Sequence, residues 1–553
     1  MVAAPGAKAA AHLVEGHGGR LAAEVLLAHG IEVVFTLSGG HLFVLYDGCV
    51  QTDVALVDTR HEQTAAFAAE GFAKVTGRPG CAALTAGPGV TNGVSALASA
   101  RLAGSPMLVI GGRAPQGRWG RGSLQELDHV PIVAPVTKTA VTATPGAGIV
   151  DSLHRALLAA RTPHRGPTFV DLPLDAFGPA TAEIPAFDAI DAAGLAPDPD
   201  VVARVAALVG AAERPVVVAG GDVYWSGAHE ELRAFAEAAA LPVLANGLGR
   251  GLLAADHRLA FSRARSAALR GADLVLVAGT PLDFRLGFGA FGDAQVVHLA
   301  DAPSEIGTHA APAEAIGADL RTTLAALASA GAAPTARAEH ERWIEQLRAD
   351  EQRGRDAERP RLESDATPIA PSRIYGELRA LLDRDAVVIG DGGDFVSYAG
   401  KYIDTFVPGS FLDPGPYGCL GTGPGYALGA SRGRPGRQLV LLLGDGAIGF
   451  SLGDLDSLVR HRVDVTAIVG NNGIWGLEKH PMQALFGYDV VADLQPEARY
   501  DLVMEALGGH GELVREPGEL RPALQRAFAT PGPSLVNVLT DPGDAYPRSS
   551  NLA

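Results

Sequence analysis

The sequence predicts an α/β protein built from three open parallel-sheet domains. Three observations carry this prediction. Short apolar runs recur along all 553 residues, most of them end in glycine, and helix-period segments lie between them. Buried-strand candidates alternating with helices are the pattern of βαβ units and a parallel sheet. The runs also fall into three blocks of similar size, separated by two stretches without a sustained period.

In the first block, IEVVFTL (31–37) ends at Ser38-Gly39-Gly40, CAALTAG (81–87) at Pro88-Gly89, and MLVIGG (107–112) in glycine. Between them HEQTAAFAAEGFAKVTG (61–77) brings Phe67, Ala68 and Phe72 near helical spacing. Residues 176–200 are rich in Pro, Ala and Asp and read as a linker. The second block offers RPVVVAGG (214–221), LPVLANG (241–247), ADLVLVAG (272–279) and AQVVHLA (294–300) as buried strands. Residues 334–367 are the most charged and least apolar, a surface helix followed by a linker. The third block offers DAVVIGDGG (385–393), RQLVLLLGDG (437–446), VDVTAIVGNNG (463–473) and PSLVNVL (533–539). The expected domains are 12–180, 190–350 and 368–540, with a tail at 541–553. Open sheets of this kind bind ligands at the carboxyl ends of their strands, where the glycine turns fall.

Composition bounds the function. Lys and Arg number 45 against 62 Asp and Glu, a net charge of −17. An acidic surface argues against duplex nucleic acid as a partner, whereas anionic small molecules meet local charge. Cys49, Cys81 and Cys419 lie far apart and form no disulfide framework or metal-ligand spacing. The N-terminal MVAAPGAKAAAHLVEGHGG lacks a continuous apolar core, and no apolar run reaches the roughly 18 residues of a membrane span. The expectation is a soluble cytoplasmic enzyme.

The sharpest chemical signal is Gly444-Asp445-Gly446 followed on the next strand by Asn471-Asn472. The apolar run LVLLL delivers Asp445 to its carboxyl end, and VTAIVG delivers Asn472 to the same edge. Glycines allow a backbone to approach a diphosphate, and a following helix offers N–H groups to phosphate oxygens. The Asp445 carboxylate, the Asn472 amide oxygen, the Ile474 carbonyl, two phosphate oxygens and a water make the all-oxygen octahedron that suits Mg²⁺.

This pair resembles the metal–diphosphate motif of thiamine-diphosphate enzymes. The resemblance predicts an upstream glutamate against the cofactor's aminopyrimidine, and Glu62 in Arg60-His61-Glu62 matches it. Pro88 and Asn92 in TAGPGVTN follow in the expected order. The same resemblance implies that Leu420 and Gly421 lie under the cofactor's bend and that Gly444, Gly446 and Ala447 line the diphosphate. It further implies at least a homodimer, commonly a dimer of dimers, with Glu62 from one chain facing Asp445 and Asn472 of the other. The middle domain of the family holds ADP, FAD or nothing; Asp301 is either a ribose ligand there or a solvated strand-end acid.

Three further side chains are candidates for substrate chemistry. His41, after Gly39-Gly40, matches an active-site histidine of benzaldehyde lyase, and reads equally as a capping residue. Gln125 matches a glutamine near the cofactor, able to donate to an adduct oxygen. Glu478 matches the catalytic glutamate of the pyruvate decarboxylase branch, with His480 a weaker neighbour. Arg285 and Leu477 are expected to face the substrate.

Over nearly its full length the chain resembles two groups, acetolactate synthases and 2-hydroxyacyl-CoA lyases with oxalyl-CoA decarboxylases. RARSAALRGADLVLVAG (263–279), FLDPGPYGCLGTGPG (411–425), GDGAIGFSLGDLDSLVRH (444–461), NNGIWG (471–476) and the tail YPRSSNLA (546–553) resemble the lyase group. Arg285 instead matches the synthases' carboxylate-holding arginine, and VPGSF (407–411) lacks the arginine cluster of the coenzyme A enzymes. Pro481 stands where the synthases carry a substrate-selecting tryptophan. The expectation is a 2-hydroxyacyl-CoA lyase releasing formyl-CoA and a carbonyl product, with acetolactate synthase as the alternative. A degenerate scaffold would have lost Glu62 or Asp445, and a nicotinamide or flavin oxidoreductase needs a GxGxxG arrangement that these glycines lack.

Overall fold

The computed structural model describes residues 11–186, 194–307, 309–331, 334–544 and 546. Its chain divides into two compact units. One comprises Met1–Ala193 with Pro414–Gly436 and Ser451–Val463, the other Gly194–Asp413 with Arg437–Phe450 and Asp464–Ala553. Three six-stranded sheets, all parallel, carry the fold.

The first unit holds one of these six-stranded sheets, in the order Ala55–Asp58, Val33–Thr36, Gly80–Leu84, Met107–Arg113, Pro167–Pro173, Ala140–Thr142. The central strands Gly80–Leu84 and Met107–Arg113 are buried at every position, as sheets covered by helices on both faces require. Pro167–Pro173 is equally buried but escapes notice in sequence, because proline bounds it at both ends. A separate antiparallel ribbon pairs His12–His17 with Pro179–Ile184. The second strand of that ribbon occupies part of the expected linker, whose residues 187–193 lie outside the described residues.

The second unit holds two sheets. One runs Ala260–Phe261, Val243–Ala245, Pro215–Ala219, Leu274–Ala278, Gln295–Ala300, Glu314–Gly317. The other runs Phe411–Leu412, Val387–Asp391, Leu439–Gly444, Val465–Asn471, Ser534–Leu539, His510–Val514. The charged segment forms the helix Pro334–Leu362, as its composition suggests. No helix among the described residues is long and apolar enough to cross a membrane.

One packing contact within the first unit sets the course of a functional helix. Helix Glu62–Thr76 lies against helix Gly423–Gly433, whose Gly425, Gly429 and Gly433 recur at four-residue spacing along one face. A Cβ on Gly429 would sit 2.1 Å from the Ala68 carbonyl oxygen, and one on Gly425 2.7 Å from Phe67 Cβ. On the facing helix, a Cβ on Gly71 would sit 2.7 Å from Tyr426 Cα. The two backbones therefore touch, and no side chain fits between them.

A buried polar cluster pins the same crossing. Lys74 Nζ lies 3.0 Å from Glu70 Oε1 and donates to the Tyr426 hydroxyl at 2.8 Å. That hydroxyl donates to Glu70 Oε2 at 2.9 Å, and Ser99 and Ser105 donate to Glu70 Oε1 at 3.4 and 3.2 Å. Buried charges persist when paired and hydrogen-bonded in this way.

Gly429→Ala is expected to lower unfolding free energy by about 1–3 kcal/mol through overpacking. Gly210→Ala, in helix Pro199–Ala211 with open space at its Cβ, is expected to be neutral or stabilising. Chemical denaturation of both variants checks the contrast; equal effects would show that the helix crossing is not close-packed.

Candidate active site

In the first unit Glu62 opens the helix Glu62–Thr76. The N-cap His61 accepts the Gln63 N–H at Nδ1, and an acid in the first turn is favoured by the helix dipole. Asp454 anchors both sides of this helix start. Its Oδ1 accepts the Arg60 N–H at 2.8 Å and its Oδ2 accepts the Thr64 hydroxyl at 2.7 Å. Glu62 itself is 9% exposed, and Asn92 Nδ2 donates to its Oε2 at 3.0 Å.

Asn92 ends the short helix Pro88–Asn92, which follows a left-handed Gly87. Gly89 faces the glutamate: a Cβ there would lie 3.6 Å from Glu62 Oε1 and 2.8 Å from Thr85 Cγ2. Glycine thus makes room for the Thr85 methyl group, while asparagine orients one Glu62 oxygen. His129 Nε2 accepts the Gly87 N–H at 2.9 Å, and Asp171 and Arg113 stand behind that imidazole.

His41 and Gln125 gather at the same turn. His41 is buried in the 3₁₀ turn Gly40–Leu42, with Thr85 Oγ1 3.5 Å from its Nδ1. Burial holds its pKa below the usual histidine value, and the Leu124 carbonyl opposes the shift. Gln125 adopts a left-handed backbone at φ 57°, and a Cβ on Gly87 would lie 3.0 Å from Gln125 Cβ. A bulky residue held at positive φ is uncommon and clusters at functional sites. Leu420 and Gly421 precede the packed helix Gly423–Gly433; Leu420 is half-buried and Gly421 buried.

In the second unit Asp445 stands where strand Leu439–Gly444 ends and the one-turn helix Asp445–Gly449 begins. It is 4% exposed. Its Oδ2 accepts the Gly473 N–H at 2.7 Å and its Oδ1 the Gly446 N–H at 3.0 Å. Burial pushes its pKa up to about 6, against the opposing pull of those N–H groups.

The parallel register Gly444↔Gly470 brings the Asn471-Asn472 turn to the same sheet edge. Asn472 Oδ1 accepts the Ile474 N–H at 3.2 Å. Trp475 lies over Gly446, where a Cβ would meet its ring at 2.4 Å, so a side chain there would displace the indole. Ala447 is buried in the same turn. The donors at this edge are a carboxylate, an amide oxygen and backbone carbonyls, the hard oxygen set that Mg²⁺ takes.

Glu478 lies in the first turn of helix Gly476–Phe486 and is exposed, beside half-buried Leu477 and His480. Arg285 is forked onto Asp283, with Nη2 to Oδ2 at 2.7 Å and Nε to Oδ2 at 3.0 Å. Asp301 is buried just past strand Gln295–Ala300. Of the expected tail, residues 545 and 547–553 lie outside the described residues.

The residues that sequence reasoning missed are Asp454, His129, Asp171, Arg113 and Trp475. Trp475 and Asp454 stood inside quoted motifs without a role. His129 and Asp171 meet only through the fold, and neither spacing nor periodicity announces them.

Comparison with known proteins identifies the family. The N-terminal TPP binding domain of thiamine pyrophosphate enzymes matches residues 16–132, the central domain 202–327 and the C-terminal TPP binding domain 391–538. A probable acetolactate synthase of Mycobacterium bovis and an acetolactate synthase large subunit of Mycobacterium tuberculosis are each 55% identical over 548 residues, covering 97% of this chain and 98% of theirs. A 2-hydroxyacyl-CoA lyase 2 of Caenorhabditis elegans is 33% identical over 573 residues, covering 95% of this chain and 89% of its own.

These identities overturn the expectation of a 2-hydroxyacyl-CoA lyase and favour its alternative. The physical reason lies in where the motifs sit. Residues 444–461 and 471–476 contain the strand-end turns of the oxygen-donor edge, and 263–279 contains a helix and a central strand of the middle sheet. Such segments report the scaffold, which both groups share, and not the group that enters the pocket. The domain matches together cover most of the chain, relatives align along its whole length, and the chain belongs to the thiamine pyrophosphate enzyme family.

Proposed function

We propose that the protein is an acetolactate synthase, a transferase that uses thiamine diphosphate and Mg²⁺ to join pyruvate, after loss of its carboxylate, to a second 2-keto acid. The observation that carries this reading is 55% identity along the whole chain to two mycobacterial acetolactate synthases, against 33% for the lyase. When bound, the cofactor supplies a nucleophilic carbon and an electron sink.

The residues present fit that group. Asp445, Asn472 and the Ile474 carbonyl would hold the metal, and Gly444, Gly446 and Ala447 would admit the diphosphate. Leu420 and Gly421 would support the cofactor's bend. Glu62 would receive the aminopyrimidine on the oxygen that Asn92 does not bind, with Asn92 and Pro88 framing it. Neutral His41 is suited to take a proton from a substrate hydroxyl, and the Gln125 amide to donate to a substrate oxygen. Glu478, solvent-facing beside Leu477, would exchange protons with water.

Arg285 would bind the second keto acid's carboxylate. Its present fork on Asp283 means that the substrate competes with an internal carboxylate. For the middle domain we assign an adenine nucleotide, ADP or FAD, at the strand ends by Asn246, Thr280 and Asp301; a visible flavin spectrum from the purified protein separates the two. The active unit is at least a homodimer in this reading, working in the cytoplasm.

Acetolactate is expected from pyruvate alone when thiamine diphosphate and Mg²⁺ are supplied. Cleavage of a 2-hydroxyacyl-CoA to formyl-CoA without any acetolactate would overturn the proposal. Glu62→Gln is expected to lower kcat by about 10²–10⁴-fold with an unchanged melting temperature; full turnover in that variant would remove Glu62 from the reaction.

The Asp445 shift gives a signed pH prediction. A carboxyl group raised to about 6 in the folded, metal-free protein favours its protonated form. Its contribution to stability is complete below the unfolded value of 3.8 and is lost as pH rises through about 6. Mg²⁺ needs the ionised carboxylate, so stabilisation by Mg²⁺ with thiamine diphosphate should appear as pH rises through the same range. Melting temperatures with and without both ligands at about pH 5 and pH 8 test this. Equal stabilisation at the two pH values would exclude Asp445 as the titrating ligand.

A further inference from the structure

The buried imidazole of His129 sits behind the turn that carries Asn92, and its chemistry is fully determined by its neighbours. The Gly87 N–H can only donate, so His129 Nε2 must be the acceptor at 2.9 Å. The ring proton therefore sits on Nδ1, which points at both oxygens of Asp171 at 3.0 Å. Asp171 is completely buried, and Arg113 Nη1 donates to its Oδ2 at 2.8 Å. Arg113 is held in turn by Asp128 at 3.1 Å and by stacking on the Trp119 ring at 3.9 Å from its centroid. The chain of contacts runs from Arg113 through Asp171 and His129 to Gly87. From there it follows the short helix Pro88–Asn92 to the amide that donates to Glu62.

We propose that His129 is a positioning residue: locked as the Nδ1–H tautomer by Asp171, it fixes the Gly87 turn and, through Asn92, the orientation of the Glu62 carboxylate. The inference rests on the cofactor reading given above, because Glu62 acts only on a bound aminopyrimidine. It makes tautomer choice at a fully buried residue a determinant of cofactor activation. A second ring nitrogen whose partner selects the tautomer is an established device for orienting an imidazole.

Asp171→Asn tests the tautomer with little change of shape. Arg113 claims the amide oxygen, the amide N–H₂ then faces Nδ1, and the imidazole must carry its proton on Nε2, against the Gly87 N–H. Two donors then meet, and the turn must shift. His129→Gln keeps an acceptor for Gly87 and a donor for Asp171 on one amide, whereas His129→Asn is too short to reach both.

The measurement is the rate at which the thiazolium C2 proton of bound thiamine diphosphate exchanges for deuterium, read by proton NMR after acid quench, with Mg²⁺ present and no substrate. Exchange is expected to slow by about tenfold or more in Asp171→Asn and His129→Asn, and to stay within about threefold of wild type in His129→Gln. Cofactor affinity by calorimetry and melting temperature accompany each variant, with the isosteric Asp171→Asn retained if His129→Asn fails to fold. Wild-type exchange in a folded Asp171→Asn variant would overturn the proposal, as would a His129→Gln variant as slow as His129→Asn. A wild-type protein that neither binds the cofactor nor exchanges its proton would overturn the cofactor reading instead.

Discussion

The direct backbone contact between helices Glu62–Thr76 and Gly423–Gly433 is the constraint on which the first unit's site depends. Glu62 is the first residue of its helix, so any shift or tilt of that helix moves the carboxylate. Gly425, Gly429 and Gly433 remove the side chains that would hold the helices apart, and the Glu70–Lys74–Tyr426 cluster fixes the crossing with buried polar contacts. Apolar packing alone tolerates sliding between similar surfaces, whereas a satisfied buried polar network has one geometry. Asp454 adds a local clamp by accepting from Arg60 and Thr64 on either side of Glu62. The glutamate is therefore positioned by a rigid element and not by a flexible loop.

Two carboxylates stand in different surroundings. Glu62 keeps one oxygen against the Asn92 amide at a helix start. Asp445 is deeply buried, accepts two backbone N–H groups and still has its pKa raised to about 6. Its buried charge calls for a cation, and the neighbouring amide and carbonyl oxygens complete a hard donor set. In each case the chemistry follows from what the chain places within about 3 Å of the carboxyl group.

Strand-end turns report a scaffold more than the substrate it serves. The turns that follow buried strands must satisfy sheet geometry and close backbone approach, so they vary little between activities. Motifs there suggest kinship without naming the acyl acceptor, which is how they suggested a coenzyme A lyase for a chain that is 55% identical to acetolactate synthases. Arg285 is the informative residue. Its fork on Asp283 gives it an internal carboxylate as partner.

The sequence by itself determined the α/β class, the three sheets and the strand ends that carry Asp445 and Asn472, because buried parallel strands must be continuous apolar runs and their turns need glycine. It also placed Glu62 at a helix start, since the helix period begins there. Short edge strands such as Ala140–Thr142 and Phe411–Leu412, and the proline-bounded Pro167–Pro173, carried too little pattern to be read. Only the tertiary structure decided that His129 meets Asp171 and Gly87, that Asp454 brackets Glu62, and that Trp475 covers Gly446. Those contacts join residues distant in the chain through single hydrogen bonds or one close van der Waals approach. Local periodicity cannot encode them, because each depends on how separate elements pack and not on the propensity of either one.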